Sequence, residues 1–303
     1  ELIASLAAGG WAVVAVVLVL CMVGLLIASP FGLFFSGAEG NGSGVPQAVA
    51  QLNGEFTARI EQIKEDMPHD VLDLDNDAVA AVLDNWRNVL AVYAVRASAD
   101  GSSPSGLDGL TAENLALLRE VFWDMNQISS FTETVPKGED ETETVLHITA
   151  IVKTPQEMAV EYGFTDNQKE LLEELLKYAR LFEKLLTCKS GLGDKRLDDC
   201  LYRMARLEIT VTRPFLMEVL RLNQDGYQGK TLSPEDVRDV FELTENYLFR
   251  RHVCDVPTNA LNKIFLTLNR EILRYDNTVG GYVDKCAYAL RAKRESGRFP
   301  DDR

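Results

Sequence analysis

Residues 128–135 read ISSFTETV and residues 144–153 read TVLHITAIVK. In both stretches apolar side chains recur between polar ones, which is the pattern of a half-buried β-strand. The residues between the two stretches, 136–143, are polar and include four carboxylates. This part of the chain therefore predicts a β-hairpin with an acidic tip, and it is the one β element that the pattern indicates.

The sequence on both sides of the hairpin has helical periodicity. Upstream, apolar residues at helical spacing predict a helix from Pro46 to about Glu65 and another over Asp77–Arg96. Thr111 is placed to cap a third helix, and Thr154 followed by Pro155 opens a short one. From Asp166 onward the pattern is helical throughout. We therefore predict a mainly α fold with a small β-hairpin.

The downstream half contains clear helix boundaries. Ser233 followed by Pro234, Glu235 and Asp236 predicts a helix start, because acidic residues are favoured in the first turn. A helix is expected from about Arg196 past Leu207, with a kink or restart at Pro214. A further apolar stripe comprises Leu261, Ile264, Phe265, Leu268 and Ile272, and the last helix is predicted over Tyr282–Glu295.

The N-terminal segment has the composition of a membrane span. No charged side chain occurs from Leu2 to Ala38, and the apolar run Leu6–Ser29 is long enough to cross a bilayer, which takes about 20 residues. A signal peptide is the alternative, but it would follow basic residues, and the first one here is Arg59. We predict a transmembrane helix with the lipid bilayer as its partner, and we expect the chain to begin inside a longer protein.

Charge and cysteine content differ between the two halves. The chain carries 31 basic and 46 acidic side chains, a formal net charge of −15, which argues against a surface that coats nucleic acid. Residues 1–168 hold 7 of the basic and 24 of the acidic side chains. Four of the five cysteines follow residue 187. We predict a transmembrane anchor at 1–36, an α+β spacer domain at 37–167 that begins with a Gly/Ser linker, and an all-α domain at 168–303.

The first part of the chain resembles a known family. The phrases FGLFFSG (31–37), NWRNVLAVYAV (85–95), LREVFWDMNQISSFTET (118–134) and LHITAIVKTPQEMAVEYGFTDNQKELL (146–172) carry the resemblance. Residues 5–172 are similar to the N-terminal part of membrane-anchored cell-wall hydrolases of Gram-positive conjugative elements. The resemblance implies an anchor and spacer outside the membrane, with conjugation-apparatus proteins or the cell wall as partners. Nothing in the chain matches the lytic domains of that family.

The second part resembles a different family. The phrases LDDCLYRMARLEITVTRPFLMEVLRL (197–222), YLFRRHVCDVPTNALNKIF (247–265) and SGRFPDD (296–302) look like the helical middle region of GmrSD-type restriction endonucleases, over about residues 176–303. The nucleotide-hydrolysing and HNH nuclease motifs of that family do not occur here. The matching polar positions are Arg250, Arg251, Cys254, Thr258, Asn259 and Asn262, which we assign to helix packing and an interhelical polar network.

The two resemblances imply opposite sides of a membrane. The spacer is expected outside a bacterial cell membrane, whereas DNA restriction is cytoplasmic, and they meet inside one predicted helix near Gln168–Lys177. We therefore hypothesise a chimera: a non-catalytic, membrane-anchored spacer fused to a helical domain of restriction-endonuclease type. The alternative is a truncated GmrSD-like restriction protein of anti-phage defence. In both cases the catalytic domains of the relatives are absent, and we predict no catalytic, cofactor or metal residues in this chain.

Motifs that imitate known sites have simpler interpretations. Asp73, Asp75 and Asp77 resemble the first ligands of a calcium loop, but position six is Ala78 rather than glycine, which favours helix capping. Residues 229–231, Gly-Lys-Thr, resemble part of a phosphate loop, but Gln224 stands where its first glycine is needed, which favours a turn.

Three further groups have both a chemical and a structural interpretation. His147 is either a general base, if a nucleophile lies near it, or a cross-strand surface histidine. Cys188 and Cys200 form a disulfide, bind zinc, or are buried thiols, the last being favoured because no CxxC pair or histidine is near. The basic side chains of a frayed C-terminal helix either contact DNA or form a solvated face. They are Arg291, Lys293, Arg294 and Arg298.

Overall fold

The computed structural model describes residues 45–99, 111–138, 141–207, 209–226, 230–275 and 280–300. Within these ranges the chain is mostly helical with one small sheet, which confirms the predicted mainly α fold with a small β part. None of the helices in these ranges is long and apolar enough to cross a membrane. The predicted transmembrane segment 1–36 and the linker that follows it lie outside the described residues. By their contacts the described residues divide into two compact units, with the division between Ala179 and Arg180.

In the first unit, helices precede, separate and follow the strands along the chain. Its elements are α1 (Val45–Asp66), β1 (Val71–Leu74), α2 (Asn76–Asp84), α3 (Trp86–Ala99), α4 (Ala112–Met125), β2 (Asn126–Pro136), β3 (Thr142–Val152), α5 (Pro155–Glu161) and α6 (Asp166–Leu186), which continues into the second unit. The predicted caps are confirmed. Thr111 accepts a hydrogen bond from Asn114 N at 3.2 Å, and Thr154 and Glu157 form a capping box.

The sheet has a third strand that the sequence did not predict. β2 and β3 form the predicted antiparallel hairpin, and β1 pairs in parallel with β3, so that the strand order is β1-β3-β2. The backbone N–H groups of Asp70 and Asp75 donate to Thr144 O and Ile148 O at either end of β1. The predicted hairpin is therefore confirmed, and β1 extends it to a three-stranded sheet. β1 has four residues within an acidic stretch, and its partner lies about 70 residues away, so no local pattern marks it.

The predicted helix Asp77–Arg96 is in fact two helices that separate at Asn85. This residue is buried, and its backbone N–H donates to Val82 O, which closes α2. Its amide side chain donates to Asn126 Oδ1 at 3.4 Å and accepts from Asn88 Nδ2 at 2.7 Å. Asparagine side chains that bond locally compete with helix continuation, which explains the break.

Aromatic side chains form the centre of the first unit. Phe122 of α4 is stacked on Trp86 of α3, with ring centroids 5.0 Å apart, and meets Phe56 of α1 edge-on at 6.3 Å. The Trp86 indole donates to Asn53 Oδ1 at 2.9 Å. Each of these aromatic pairs contributes about 0.5–1.5 kcal/mol beyond the burial of its area. The cluster therefore joins α1, α3 and α4.

The regular elements in the described residues of the second unit are helices joined by short loops. After the end of α6 it contains α7 (Lys195–Ala205), α8 (Arg213–Asp225), α9 (Pro234–Val253), α10 (Leu261–Arg274) and α11 (Tyr282–Arg291), with 3₁₀ turns at Thr210–Thr212, Thr258–Ala260 and Glu295–Gly297. The predicted start at Ser233 is confirmed as a capping box with Asp236. The predicted stripe of α10 is buried at all five positions.

Two predicted helix ends in this unit are wrong. The helix expected to continue past Leu207 stops at Ala205, where the backbone N–H of Leu207 donates to Met204 O in a tighter turn. The last helix stops at Arg291 rather than Glu295. The residues beyond it bend into the turn Glu295–Gly297, whose glycine is buried, so Lys293, Arg294 and Arg298 are not part of a frayed helix.

Candidate functional site

One face of the three-stranded sheet is open to solvent. Because side chains alternate along a strand, residues paired in register point to the same side. His147 of β3 is paired with Asp73 on one side and Phe131 on the other. We call this side the open sheet face, and its principal side chains are Val71, Asp73, Phe131, Glu133, His147 and Ile151. Phe131 is 54% exposed and Ile151 is 50% exposed, which is high for large apolar residues on a sheet.

The centre of the open sheet face is a stacked pair of rings. The Phe131 and His147 rings lie 4.7 Å apart between centroids with an interplanar angle of 19°. His147 Nδ1 lies 2.7 Å from Asp73 Oδ2, so that nitrogen carries the proton and donates to the carboxylate. His147 Nε2 lies 3.6 Å from Glu133 Oε2, which is beyond hydrogen-bond distance, and has no hydrogen-bond partner. The contacts of His147 are thus two carboxylates and an aromatic ring.

Asp75 connects the open sheet face to α2. Its carboxylate accepts from the backbone N–H of Ala78 at 2.9 Å, which caps α2, and from the hydroxyl of Thr149 at 3.1 Å. Asp73 is occupied by His147, and Asp77 lies in the first turn of α2. Capping, the interpretation favoured over a calcium loop, is confirmed for Asp75. Among the described residues there is no group of three or more side chains that could hold a metal ion.

The open sheet face is acidic. The three strands contain no lysine or arginine, whereas they contain Asp73, Glu133 and Glu143. Glu143 is paired with Lys137 at 3.3 Å, just beyond the end of β2. Asp73 and Glu133 keep 66% and 60% of their side-chain surface exposed. The exposed carboxylates therefore lie on the same face as the exposed ring of Phe131.

In the second unit, Arg251 of the phrase 247–265 holds the segment after α11. It is 2% exposed, and its guanidinium donates to the carbonyl oxygens of Arg298 at 3.0 Å, Pro257 at 2.6 Å and Ser296 at 2.7 Å. The guanidinium also lies 5.1 Å from the centre of the Tyr247 ring. No carboxylate lies within 4 Å of it in the described part of the chain. Arg251 is therefore a backbone clamp that fixes residues 296–298.

The other polar residues singled out in the sequence 250–262 lie at the surface near Arg251. Arg250 Nε donates to Asn246 Oδ1 at 2.6 Å, and its Nη1 lies 3.5 Å from the carbonyl of Pro300. The remaining four positions are exposed, and the structure records no side-chain hydrogen bond for them. They are Cys254, Thr258, Asn259 and Asn262. Sequence reasoning missed Tyr247, although its spacing of four residues from Arg251 places both on one helix face.

The basic residues proposed for DNA contact lie on or after the end of α11. Arg291, Arg294 and Arg298 are exposed. Lys293 Nζ pairs with Glu271 Oε2 at 2.5 Å. The lysine is therefore engaged within the unit, while the three arginine side chains face solvent.

The cysteines of the described residues are all free thiols. Cys200 and Cys286 are buried, Cys188 is half-buried, and Cys254 is exposed. Burial raises the pKa of Cys286 to about 12, and burial together with the neighbouring Glu245 carboxylate raises the pKa of the Cys200 thiol above its ordinary value. The buried thiol, the interpretation favoured over a disulfide between Cys188 and Cys200, is confirmed for Cys200, whereas Cys188 is a free thiol that is only half-buried. Gly229 of the predicted Gly-Lys-Thr turn lies outside the described residues.

A cavity of about 340 Å³ lies on the opposite side of β2 from the open sheet face. Its lining combines apolar side chains of α1 and α4 with Ile128 and Ser130 of β2 and with two charged residues, Arg59 and Asp66. A second cavity, of about 250 Å³, lies beside Arg251 and is lined in part by His252 and Asp255. Comparison of the chain with known protein families, with curated proteins and with solved structures gives no match.

Proposed function

We propose that this chain is a non-catalytic, membrane-anchored interaction protein whose first unit is a spacer of the type found in cell-wall hydrolases of conjugative elements. Its partners in this role are proteins of a conjugation apparatus or the cell wall. The helical second unit, of restriction-endonuclease type, is fused to it.

The observation that carries an interaction role is the exposure of Phe131 and Ile151 on the open sheet face. A sheet with one solvated face normally places polar residues there, so large apolar side chains exposed on such a face favour a role in association. The uncharged stretch Leu2–Ala38 supports attachment to a bilayer, because inserting even one charge at the centre of a span is costly.

Membrane attachment is tested by expressing the full chain in a Gram-positive bacterium and washing the membranes with alkaline carbonate. We expect the wild-type chain to stay in the membrane pellet and the variant V17D/L20R to be found in the supernatant. The matched control, G42D/S43R, places the same two charges in the predicted linker and should stay in the pellet. Extraction of the wild-type chain by the wash would contradict the proposal.

The side of the membrane is tested at Cys254, whose thiol is exposed. If the spacer lies outside, the segments that adjoin it after a single span lie outside as well. A membrane-impermeant maleimide should then label intact cells that express the wild-type chain more strongly than cells that express C254S. Equal labelling of the two would place the second unit inside.

Absence of catalysis is tested with the purified full chain in detergent. We expect no release of soluble fragments from peptidoglycan and no cleavage of methylated DNA. Turnover in either assay would show that the chain is an enzyme.

A second candidate function is a DNA-binding remnant of a GmrSD-like restriction protein. It is favoured by one observation: Arg291, Arg294 and Arg298 are exposed and have no carboxylate within 4 Å among the described residues. Guanidinium groups available to solvent are the groups that neutralise phosphates.

The DNA-binding alternative is tested by the salt dependence of DNA binding by the full chain. Binding that weakens steeply with salt, and that is lost in R291A/R294A/R298A, would support it, because each phosphate contact contributes about 0.9 to the logarithmic slope. The matched control K195A/K263A/R270A removes three charges elsewhere on the same unit. An equal loss of DNA binding in both variants would show that binding depends on the total positive charge of the unit and not on these three arginines.

A further inference from the structure

We infer that the open sheet face is a binding site for an extended, basic polypeptide segment, which adds to the sheet along the free edge of β2. This inference names the partner chemistry of the interaction role proposed above and rests on that role.

The first argument is the free edge. In the described part of the chain, β2 has a strand neighbour only on its β3 side, and it has 11 residues. An edge of this length presents a row of backbone N–H and C=O groups that another strand can pair with. Natural edges are commonly protected by lysine or proline within the strand. β2 has neither within it, since Pro136 is its last residue.

The second argument is charge. Asp73 and Glu133 are exposed on this face, and the three strands carry no lysine or arginine that would balance them. Residues 1–168 as a whole have 24 acidic and 7 basic side chains. A second copy of the same strand, or a nucleic acid, would bring further negative charge to this face, whereas a basic segment would be attracted.

The third argument is the position of the Phe131 ring. One side of the ring covers His147, and 54% of the residue remains exposed beside Glu133. A lysine or arginine over an aromatic ring gains a cation–π interaction, and a neighbouring carboxylate adds an ion pair. In a strand added next to β2, every second side chain lies on this face. The partner segment should therefore alternate basic residues with residues of another kind.

The experiment measures binding of a fluorescent peptide of about ten residues, alternating lysine and valine, to the full chain in detergent. The face variant is D73N/E133Q, in which the amide introduced in place of Asp73 retains an acceptor oxygen for His147. The control, E170Q/E174Q, removes two exposed carboxylates from α6 and so changes the net charge equally. We expect the face variant to bind a few-fold more weakly, because Glu133 lies on β2 beside the added strand and an exposed ion pair contributes only a few-fold, whereas Asp73 on β1 contributes only to the negative potential of the face. The control should bind as the wild-type chain does.

Strand addition is tested with a second peptide of the same sequence and charge, in which alternate backbone nitrogens are methylated. Methylation removes the donors that pair with an edge strand, so this peptide should bind several-fold more weakly. Equal weakening by D73N/E133Q and E170Q/E174Q would overturn the site, and equal binding of the two peptides would overturn strand addition. Peptide binding in detergent does not depend on membrane attachment. If the carbonate wash shows that the chain is not anchored, the peptide-binding result still stands and still tests the site.

Discussion

The hydroxyl of Tyr247 donates a hydrogen bond of 2.7 Å to the backbone carbonyl of Gly297, 50 residues further along the chain. Both residues are buried, and Tyr247 also contacts Phe299, with ring centroids 5.1 Å apart. The residues after α11 are therefore part of the interior of the second unit. Residues 247–265 and 296–300 therefore meet in space at this point.

Replacing Tyr247 by phenylalanine should destabilise the second unit by about 1–2 kcal/mol. The ring would stay in place, but the buried carbonyl of Gly297 would lose its donor. The measurement is urea unfolding of the full chain followed by far-UV circular dichroism. The control Y202F changes a tyrosine that is 59% exposed and should leave the midpoint unchanged. Equal midpoints for Y247F and the wild-type chain would contradict the assigned role.

Replacing Arg251 by methionine should have a larger effect, about 3–5 kcal/mol, because three carbonyl oxygens would lose their donor at once. Lysine should not rescue the loss, since a single ammonium group cannot reproduce the planar arrangement of guanidinium donors. The measurement is limited proteolysis, in which R251M and R251K should be cleaved near residues 295–300 much faster than the wild-type chain. R270M, at an exposed position, should be cleaved at the wild-type rate.

Truncation to alanine should destabilise the chain much more at Phe122 of α4 than at Phe131 of β2. F122A removes a fully buried ring between Trp86 and Phe56 and should cost about 3–5 kcal/mol. F131A removes an exposed ring and should cost less than about 1 kcal/mol. Thermal unfolding of the two variants provides the comparison. A similar loss in both would mean that the open sheet face is covered.

Replacing Asp75 by alanine should destabilise the first unit by about 1–2 kcal/mol, because it removes the cap of α2 and the partner of Thr149. If Asp75 is a cap rather than a metal ligand, millimolar calcium should leave the melting temperature of the wild-type chain unchanged. A rise in melting temperature with calcium that is absent in D75A would restore the calcium-loop interpretation.

The pH dependence of thiol alkylation should separate the cysteines. The pKa of Cys286 is raised to about 12 by burial, and a raised pKa means less thiolate at any pH below it. At pH 8 iodoacetamide should therefore modify exposed Cys254 well before Cys286, as measured by mass spectrometry of the digested chain. The burial also favours the folded state below the ordinary thiol pKa of about 9, and this contribution is lost as the pH rises towards 12. Equal rates for Cys254 and Cys286 at pH 8 would contradict the buried position.

Features that depend on neighbouring residues were predictable from the sequence. The capping boxes at Thr154 and Ser233, the hairpin, and the buried stripe from Leu261 to Ile272 arise from side chains within a few residues of one another. Their spacing along the chain is also their spacing in the element, so periodicity and capping patterns were enough to locate them.

Features that depend on distant residues were not predictable in this way. Strand β1 exists because it pairs with residues about 70 positions later, and Arg251 acquires its role because the segment after α11 folds back against α9. The amino-acid sequence by itself predicts the helices and the hairpin, because they depend on residues that are close along the chain. It also gives the acidity of the first half, because net charge is a sum over residues. Folding alone assembles the open sheet face and the Arg251 clamp, because hydrogen bonds between remote backbone groups form only after the elements have packed.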